Sequence, residues 1–209
     1  MGAGKNSAHH VGALLLASPE QAVAWPTRPV APGLELLPSN QLLHESLTKL
    51  TKQRDVHELR RLRTRLAQLA PRFDFCLLDC PPDAEGMTQQ ALHAADCYVV
   101  VTDPEPFAVE GLAKIMQRAQ GVQTSQRETL RFLGFIIPRF NPAIRGKMRT
   151  AMFASITSAY GANSLLGWVR YAAAVFEAQG LRQTLYEYAP DSTAAQDYLS
   201  ITKTLLSKI

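Results

Sequence analysis

An aspartate closing an apolar run is the residue best placed to do chemistry in this sequence. Phe75-Cys76-Leu77-Leu78-Asp79-Cys80-Pro81-Pro82 sets four apolar residues before the acid and two prolines just beyond it. An unbroken apolar run bounded by turn residues predicts a strand buried on both faces. An acid ending such a strand stands at the carboxyl edge of a parallel sheet, where α/β folds bind ligands. The prolines cannot extend a ladder and stiffen the loop that follows. A carboxylate so placed suits magnesium, which takes few protein oxygens and keeps most of its waters. The same residues fit a strand that simply ends in an Asp-Pro turn, and the local sequence weighs equally on both readings.

Positive charge is the second chemical feature. The net charge is only +4, but seven basic residues fall between Lys49 and Arg65, against Asp55 and Glu58. A second run holds Arg139, Arg145, Lys147 and Arg149. Such clusters can neutralise phosphates, and each taken singly also fits a solvated helix face. Three cysteines, Cys76, Cys80 and Cys97, are an odd number without a CxxC spacing, which suits buried thiols in a reducing cytoplasm.

Positioning these groups requires alternating strands and helices, and the sequence supplies them. Asp55-Val56-His57-Glu58 reads as a capping box, and Leu59, Leu62, Leu66 and Leu69 then make one helical stripe. After the 75–79 strand come a helix over 88–95, a strand over 97–101 and an amphipathic helix from Phe107 that Gly121 closes. A strand over 133–137 ends at Pro138, and Asn141-Pro142 starts a helix that runs to Gly161. A short strand over 166–169, a helix over 172–179 and a terminal helix capped by Asp191 or Ser192 follow. That last helix is read with Ala195, Tyr198, Leu199, Thr202, Leu205, Leu206 and Ile209 facing inward. Upstream, 33–38 reads as a strand, Ser39 as a cap and 14–24 as helical, while 1–10 is poorly defined. The alternation predicts an α/β fold, a mostly parallel sheet with helices on both faces, in one domain spanning 1–209. A chain of 209 residues, 46% hydrophobic, is ample for that. No apolar run is long enough to span a membrane.

At these motifs the chain resembles the ParA/MinD family of deviant Walker ATPases, and specifically its ParA (Soj-like) partition proteins. The apolar strand with Asp79-Cys80-Pro81-Pro82 is similar to the family's Asp-x-Pro-Pro motif. Phe107-Ala108-Val109-Glu110-Gly111-Leu112 is similar to its aromatic-Ala-x-Glu-Gly-Leu signature. Val169-Arg170 and Glu187-Tyr188-Ala189-Pro190-Asp191-Ser192 follow its C-terminal pattern. The resemblance implies a P-loop-type fold and a cytoplasmic, nucleoid-associated ATP switch. It implies a nucleotide-joined homodimer, non-specific DNA binding and a centromere-binding ParB-like partner that stimulates hydrolysis. Carried onto this chain, Asp79 would hold magnesium through water, and Pro81 and Pro82 would shape a loop that senses the terminal phosphate. Pro138, Arg139 and Asn141 would lie near the adenine. Arg145, Arg149 and Arg170 would contact DNA phosphates, with an outer helix face (Arg145, Arg149) and a local ion pair (Arg170) as the structural alternatives.

The match departs from the family at its start. Gly2-Ala3-Gly4-Lys5-Asn6-Ser7 is similar to the end of a phosphate loop, but no strand leads into it and Asn6 stands where Ser or Thr would hold magnesium. An alternative alignment sets Gly2 to Ser7 just behind the family's Asp-x-Asp-Pro-Gln-Gly motif, so that the first strand and the whole phosphate loop are missing. On either alignment the expectation is a shortened fold whose 209 residues by themselves hydrolyse ATP negligibly. Two further functions stay open: a catalytically inactive binding module, and a positioning factor of the MinD or cellulose-synthesis type. The inward stripe of the terminal helix argues against a MinD-like membrane anchor, and the lack of CxxC argues against the iron–sulfur branch.

Overall fold

The computed structural model describes residues 10–16, 27–39, 43, 60–80, 85–103, 106–126, 130–141 and 147–209. They belong to two compact units, Met1–Asp96 and Cys97–Ile209. The expected capping box at 55–58, the cap at Ser39 and the ill-defined stretch 1–9 lie outside the described residues.

In the first unit, helix α1 (Val11–Leu16) precedes an antiparallel hairpin, β1 (Arg28–Ala31) and β2 (Leu34–Leu36). Gly33, with φ of 72°, makes the turn that a side chain would strain. Helices α2 (Arg61–Ala67) and α3 (Glu85–Ala94) follow, and Leu15, Leu43 and Leu62 form a small core. Of the expected leucine stripe, Leu62 and Leu69 are buried and Leu66 packs beside Leu62. Arg72 grips both carboxylate oxygens of Glu35 at 3.2 Å and ties the hairpin to the turn after α2. The 33–38 strand is therefore real but pairs antiparallel, which the sequence does not signal.

The strand expected over 75–79 is corrected. These residues run extended but join no ladder among the described residues. Leu78 packs on the core beside Met87, whereas Phe75 is 57% and Leu77 87% exposed. A strand is buried on both faces only where neighbours flank it, and no described residue pairs with this segment.

The second unit is built on three parallel strands, β3 (Cys97–Val101), β4 (Arg131–Ile137) and β5 (Leu165–Trp168), in the order β3-β4-β5. Helices α4 (Pro106–Gln126) and α5 (Lys147–Tyr160) cover one face, where Val100, Leu112, Phe135, Ile137, Phe140 and Ile156 are buried together. Helices α6 (Ala173–Leu181), α7 (Leu185–Tyr188) and α8 (Thr193–Leu206) supply the other face, where Leu166, Val169, Ala194 and Ile201 meet Val99 and Ile136. This is the predicted α/β arrangement of a parallel sheet between two helical layers. Gly134 and Gly167 sit at the register shifts of the two ladders with φ of 145° and 153°, so β4 and β5 each absorb an extra residue as a bulge.

Two helix expectations change. Gly121 does not end α4, which continues to Gln126. One glycine costs a helix about 1 kcal/mol, and Val122, buried in the next position, outweighs it. In α8 the buried residues are Ala194, Ala195 and Ile201, while Tyr198, Leu199, Leu206 and Ile209 are exposed. Two small alanines let the helix approach the sheet closely, which turns the larger apolar residues outward. The inward stripe used against a membrane anchor is thus displaced; no helix among the described residues is long and apolar enough to cross a membrane. Ser192 is the cap, accepting from the Ala195 amide at 3.2 Å. Past α8, the Lys208 ammonium donates to the carbonyls of Leu133 and Asn163 at 3.0 and 2.7 Å, and Arg131 donates to the Lys208 carbonyl.

Candidate functional site

Parallel strands send all their following loops to one edge, and in the second unit that edge gathers the polar residues. Thr102 and Asp103 leave β3, residues 138–141 leave β4, and Val169 and Arg170 leave β5. The Phe140 amide bonds to the Val169 carbonyl at 3.0 Å, and the Val169 amide to the Ile137 carbonyl at 2.9 Å. These two bonds hold the 138–141 turn against the end of β5. Phe140 is buried and stacks on Phe153 of α5, their ring centroids 5.1 Å apart and their planes nearly parallel. Arg139 adopts a left-handed φ of 50°, a conformation that non-glycine residues reach only when their surroundings impose it. Its guanidinium pairs with Asp103, so the loops of β3 and β4 are clasped across the sheet edge.

One oxygen of that clasp is left over. Asp103 Oδ1 is buried and has no hydrogen-bond partner among the described residues. A buried carboxylate oxygen without a donor costs free energy, and at this edge a ligand's N–H or O–H would relieve it. Asn141, half-buried beside the turn, carries an amide that can donate and accept together. On β5, Arg170 is committed to Asp197 of α8. Its amide and Nε donate to Oδ2 at 2.9 Å, and Nη2 donates to Oδ1 at 2.7 Å. These bonds from Arg170 hold the Asp197 carboxyl below the usual carboxylate range and push Arg170 above its ordinary value.

Of the residues singled out from sequence, Pro138, Arg139, Asn141 and Arg170 are thus brought to one sheet edge. Asp79 lies in the first unit, exposed, at the end of the unpaired 75–80 segment. Pro81, Pro82 and Arg145 lie outside the described residues; Arg149 lies within α5, its side chain likewise outside them. Arg170 makes the local ion pair that was its structural alternative. Sequence reasoning missed Asp103, although the signal was the same as at Asp79: an apolar run, Val99-Val100-Val101, leading to an acid and a proline. It missed Asp197 because nothing local marks a carboxylate that faces a strand 27 residues earlier.

No group of three or more potential metal ligands occurs among the described residues. Magnesium held through water needs only one carboxylate, which the exposed Asp79 can offer. At 138–141 and Asp103 the sheet edge presents a polar turn and a carboxylate oxygen without a hydrogen-bond partner among the described residues.

Comparison with known proteins agrees with this architecture. Residues 5–132 match the family model described as an AAA domain. A ParA family protein of Chlamydia trachomatis serovar D is 31% identical over 182 residues, 86% of this chain and 69% of that protein. Its counterpart in Chlamydia muridarum is 31% identical, covering 83% of this chain and 67% of that protein. The chromosome-partitioning ATPase Soj of Thermus thermophilus is 25% identical over 137 residues, 66% of this chain and 54% of that protein. Among solved structures, apo McdA of Cyanothece superposes with a TM-score of 0.80 at 18% identity, over 94% of this chain and 77% of that one. A putative plasmid partition protein of Borrelia burgdorferi bound to AMPPNP superposes with 0.68 at 20% identity, over 88% and 68%. The fold is that of a P-loop NTPase-like α/β protein. The chain belongs to the ParA family.

Proposed function

We propose that this chain serves a ParA-type partition switch for a chromosome or plasmid, binding an adenine nucleotide and, non-specifically, DNA. The observation that carries the nucleotide part is the unmet Asp103 oxygen beside the 138–141 turn, at the edge where parallel sheets take ligands. Pro138 and Arg139 shape that turn, and Asn141 reads the base. Asp79, with Pro81 and Pro82, would serve magnesium and the terminal phosphate; ATP with magnesium is the cofactor that this donor set suits. Phosphate contacts to DNA fall to Arg145 and Arg149, with Arg170 anchoring the end of β5. The partners of such a switch are a centromere-binding ParB-like protein and a second copy of the chain.

Gly2 to Ser7 supply no complete phosphate loop on either alignment, with Asn6 in place of a magnesium-ligating hydroxyl on the first and the loop missing on the second, and this favours a second reading: a binding module without turnover. One experiment separates the two. Titration with a fluorescent ATP analogue should give saturable binding that Asn141→Ala weakens about tenfold, the loss of roughly one net hydrogen bond. DNA retardation should fall with salt and disappear in the Arg145→Glu, Arg149→Glu double variant while nucleotide affinity holds. Salt-sensitive DNA binding with no nucleotide binding would select the module; the absence of both would overturn the proposal. ATP turnover by the 209-residue chain alone is expected to be negligible, and robust turnover would refute that expectation.

A further inference from the structure

At the amino-terminal edge of the sheet, the edge opposite the 138–141 turn, the second unit carries a groove of about 430 Å³. Tyr98 and Phe132, the second residues of β3 and β4, face each other across the ladder, their ring centroids 5.2 Å apart. Met116 and Tyr160 line the groove beside them, and all four pack against the core under α4 and α5. The rim belongs to α4, where Ala113, Gln117, Gln120 and Gln123 follow at helical spacing and the small alanine leaves one end open. None of the lining residues carries a charge. Among the described residues the Tyr98 hydroxyl has only the Met116 sulfur as partner, at 3.3 Å, and a thioether is a weak acceptor. Burial, and then the neighbouring Tyr160, push the Tyr98 phenol up, which keeps it a neutral O–H. Gln123 Nε2 donates to the Leu130 carbonyl. The Gln117 and Gln120 carboxamides and the Tyr160 hydroxyl form no hydrogen bond among the described residues.

We infer that this groove is a second ligand site, and that its occupant is an uncharged, flat heteroaromatic ring with lactam N–H and C=O groups on its edge. The volume lies in the range of small-molecule sites and is too small for a docked helix, which is about 10–12 Å across. A lining without Lys, Arg, Asp or Glu gives a phosphate or carboxylate no counter-charge, and burying an unpaired charge is costly. The Tyr98 and Phe132 rings offer aromatic surface on which a flat ring can stack. A carboxamide sets an N–H donor beside a C=O acceptor, the complement of a lactam edge, and Gln117 and Gln120 present two of them from adjacent turns. The two phenol hydroxyls can each donate or accept at the far side of the ring. Parallel sheets take their principal ligand at the carboxyl edge, so a ring held at the amino edge does not compete for the place beside Asp103 and Asn141.

The test uses the full chain and lumichrome, a fluorescent tricyclic ring that is neutral at neutral pH and carries lactam groups. Saturable quenching of its fluorescence is expected, together with amide exchange slowed by at least about tenfold over residues 113–123 and unchanged over 138–141. Lumichrome methylated at its lactam nitrogens, or carrying a carboxylate, should bind at least about tenfold more weakly. Equal binding of either derivative overturns the ligand class. Gln117→Ala with Gln120→Ala changes two exposed side chains and should weaken binding about tenfold. Ala113→Trp fills the groove from an exposed helix position and should abolish binding while the thermal midpoint holds. No saturable quenching overturns the inference, and so does binding that both variants leave intact. Slowed exchange confined to 138–141, with displacement by ATP, overturns the location and assigns the ring to the opposite edge.

Discussion

Arg170 and Asp197 fasten the exit of β5 to α8 through three bonds to one carboxylate, two at 2.9 Å and one at 2.7 Å. A two-pronged guanidinium–carboxylate pair has strict geometry, and here the strand's own amide joins it. The pair fixes where the 169–170 loop leaves the sheet, and the 138–141 turn leans on that loop through Val169. The ends of β4 and β5 are therefore held by one continuous set of bonds.

Acid should loosen this fastening. Asp197 is held below its ordinary value, so the stabilisation it gives is fully present above about pH 4 and is lost as pH falls through its lower folded value. Arg170, raised, stays charged throughout. Thermal unfolding followed from neutral pH downward should show a falling midpoint below about pH 4. In Asp197→Asn the midpoint at neutral pH should already be several degrees lower, and the acid-dependent part smaller.

Two glycines should respond in opposite ways to alanine. A Cβ at Gly134 would collide with the Ser164 carbonyl and come within 2.9 Å of Leu166 Cγ, at a φ of +145°. Gly134→Ala should destabilise by about 3 kcal/mol or more, combining overpacking with backbone strain. Gly121 lies inside α4 with open space where its Cβ would stand, so Gly121→Ala should stabilise by about 0.5–1 kcal/mol. Denaturant melts of the two variants decide both.

Removing the cap of α8 should weaken it measurably. Ser192→Ala leaves the Ala195 amide without its acceptor and should cost about 1 kcal/mol. Ser192→Asn or Asp, which caps equally well, should restore the denaturation midpoint.

The thiols beside Asp79 should be accessible but slow. Burial pushes the Cys76 thiol up, and burial together with the Asp79 charge pushes up Cys80. A raised value means less thiolate at neutral pH, so alkylation at pH 7 should lag behind that of a free cysteine and accelerate above pH 9. Asp79→Asn should speed Cys80 and leave Cys76 nearly unchanged, as peptide mass spectrometry can resolve.

How much of this was legible varies by region for physical reasons. β3, β4, β5 and the helices between them announce themselves because a parallel sheet covered on both faces leaves continuous apolar runs, and each run here ends in a proline or polar turn. The 75–78 run carries the same signal and still forms no ladder, since periodicity reports what a segment could bury and not whether a neighbour stands beside it. In α8 the expected stripe holds at Ala195 and Leu205 and fails at Tyr198, Leu199 and Leu206, because Ala194, Ala195 and Ile201 set the contact and the small alanines admit the closest approach. Family resemblance puts Pro138, Arg139 and Asn141 near an adenine, and in the structure they lie at the exit of β4. Asp103 could have been found from its position after a valine run. The Asp197 partnership with Arg170 is long-range, and no local pattern encodes it.

The grip of Lys208 on the Leu133 and Asn163 carbonyls, answered by Arg131 on the Lys208 carbonyl, makes Lys208 a fastener for the entry of β4. An affinity handle or dye fused directly after Ile209 would tug on the bulge at Gly134 and blur every melt and exchange trace proposed above. Labels belong elsewhere, and trimming Lys208 and Ile209 should free the start of β4 for exchange before any other part of the sheet.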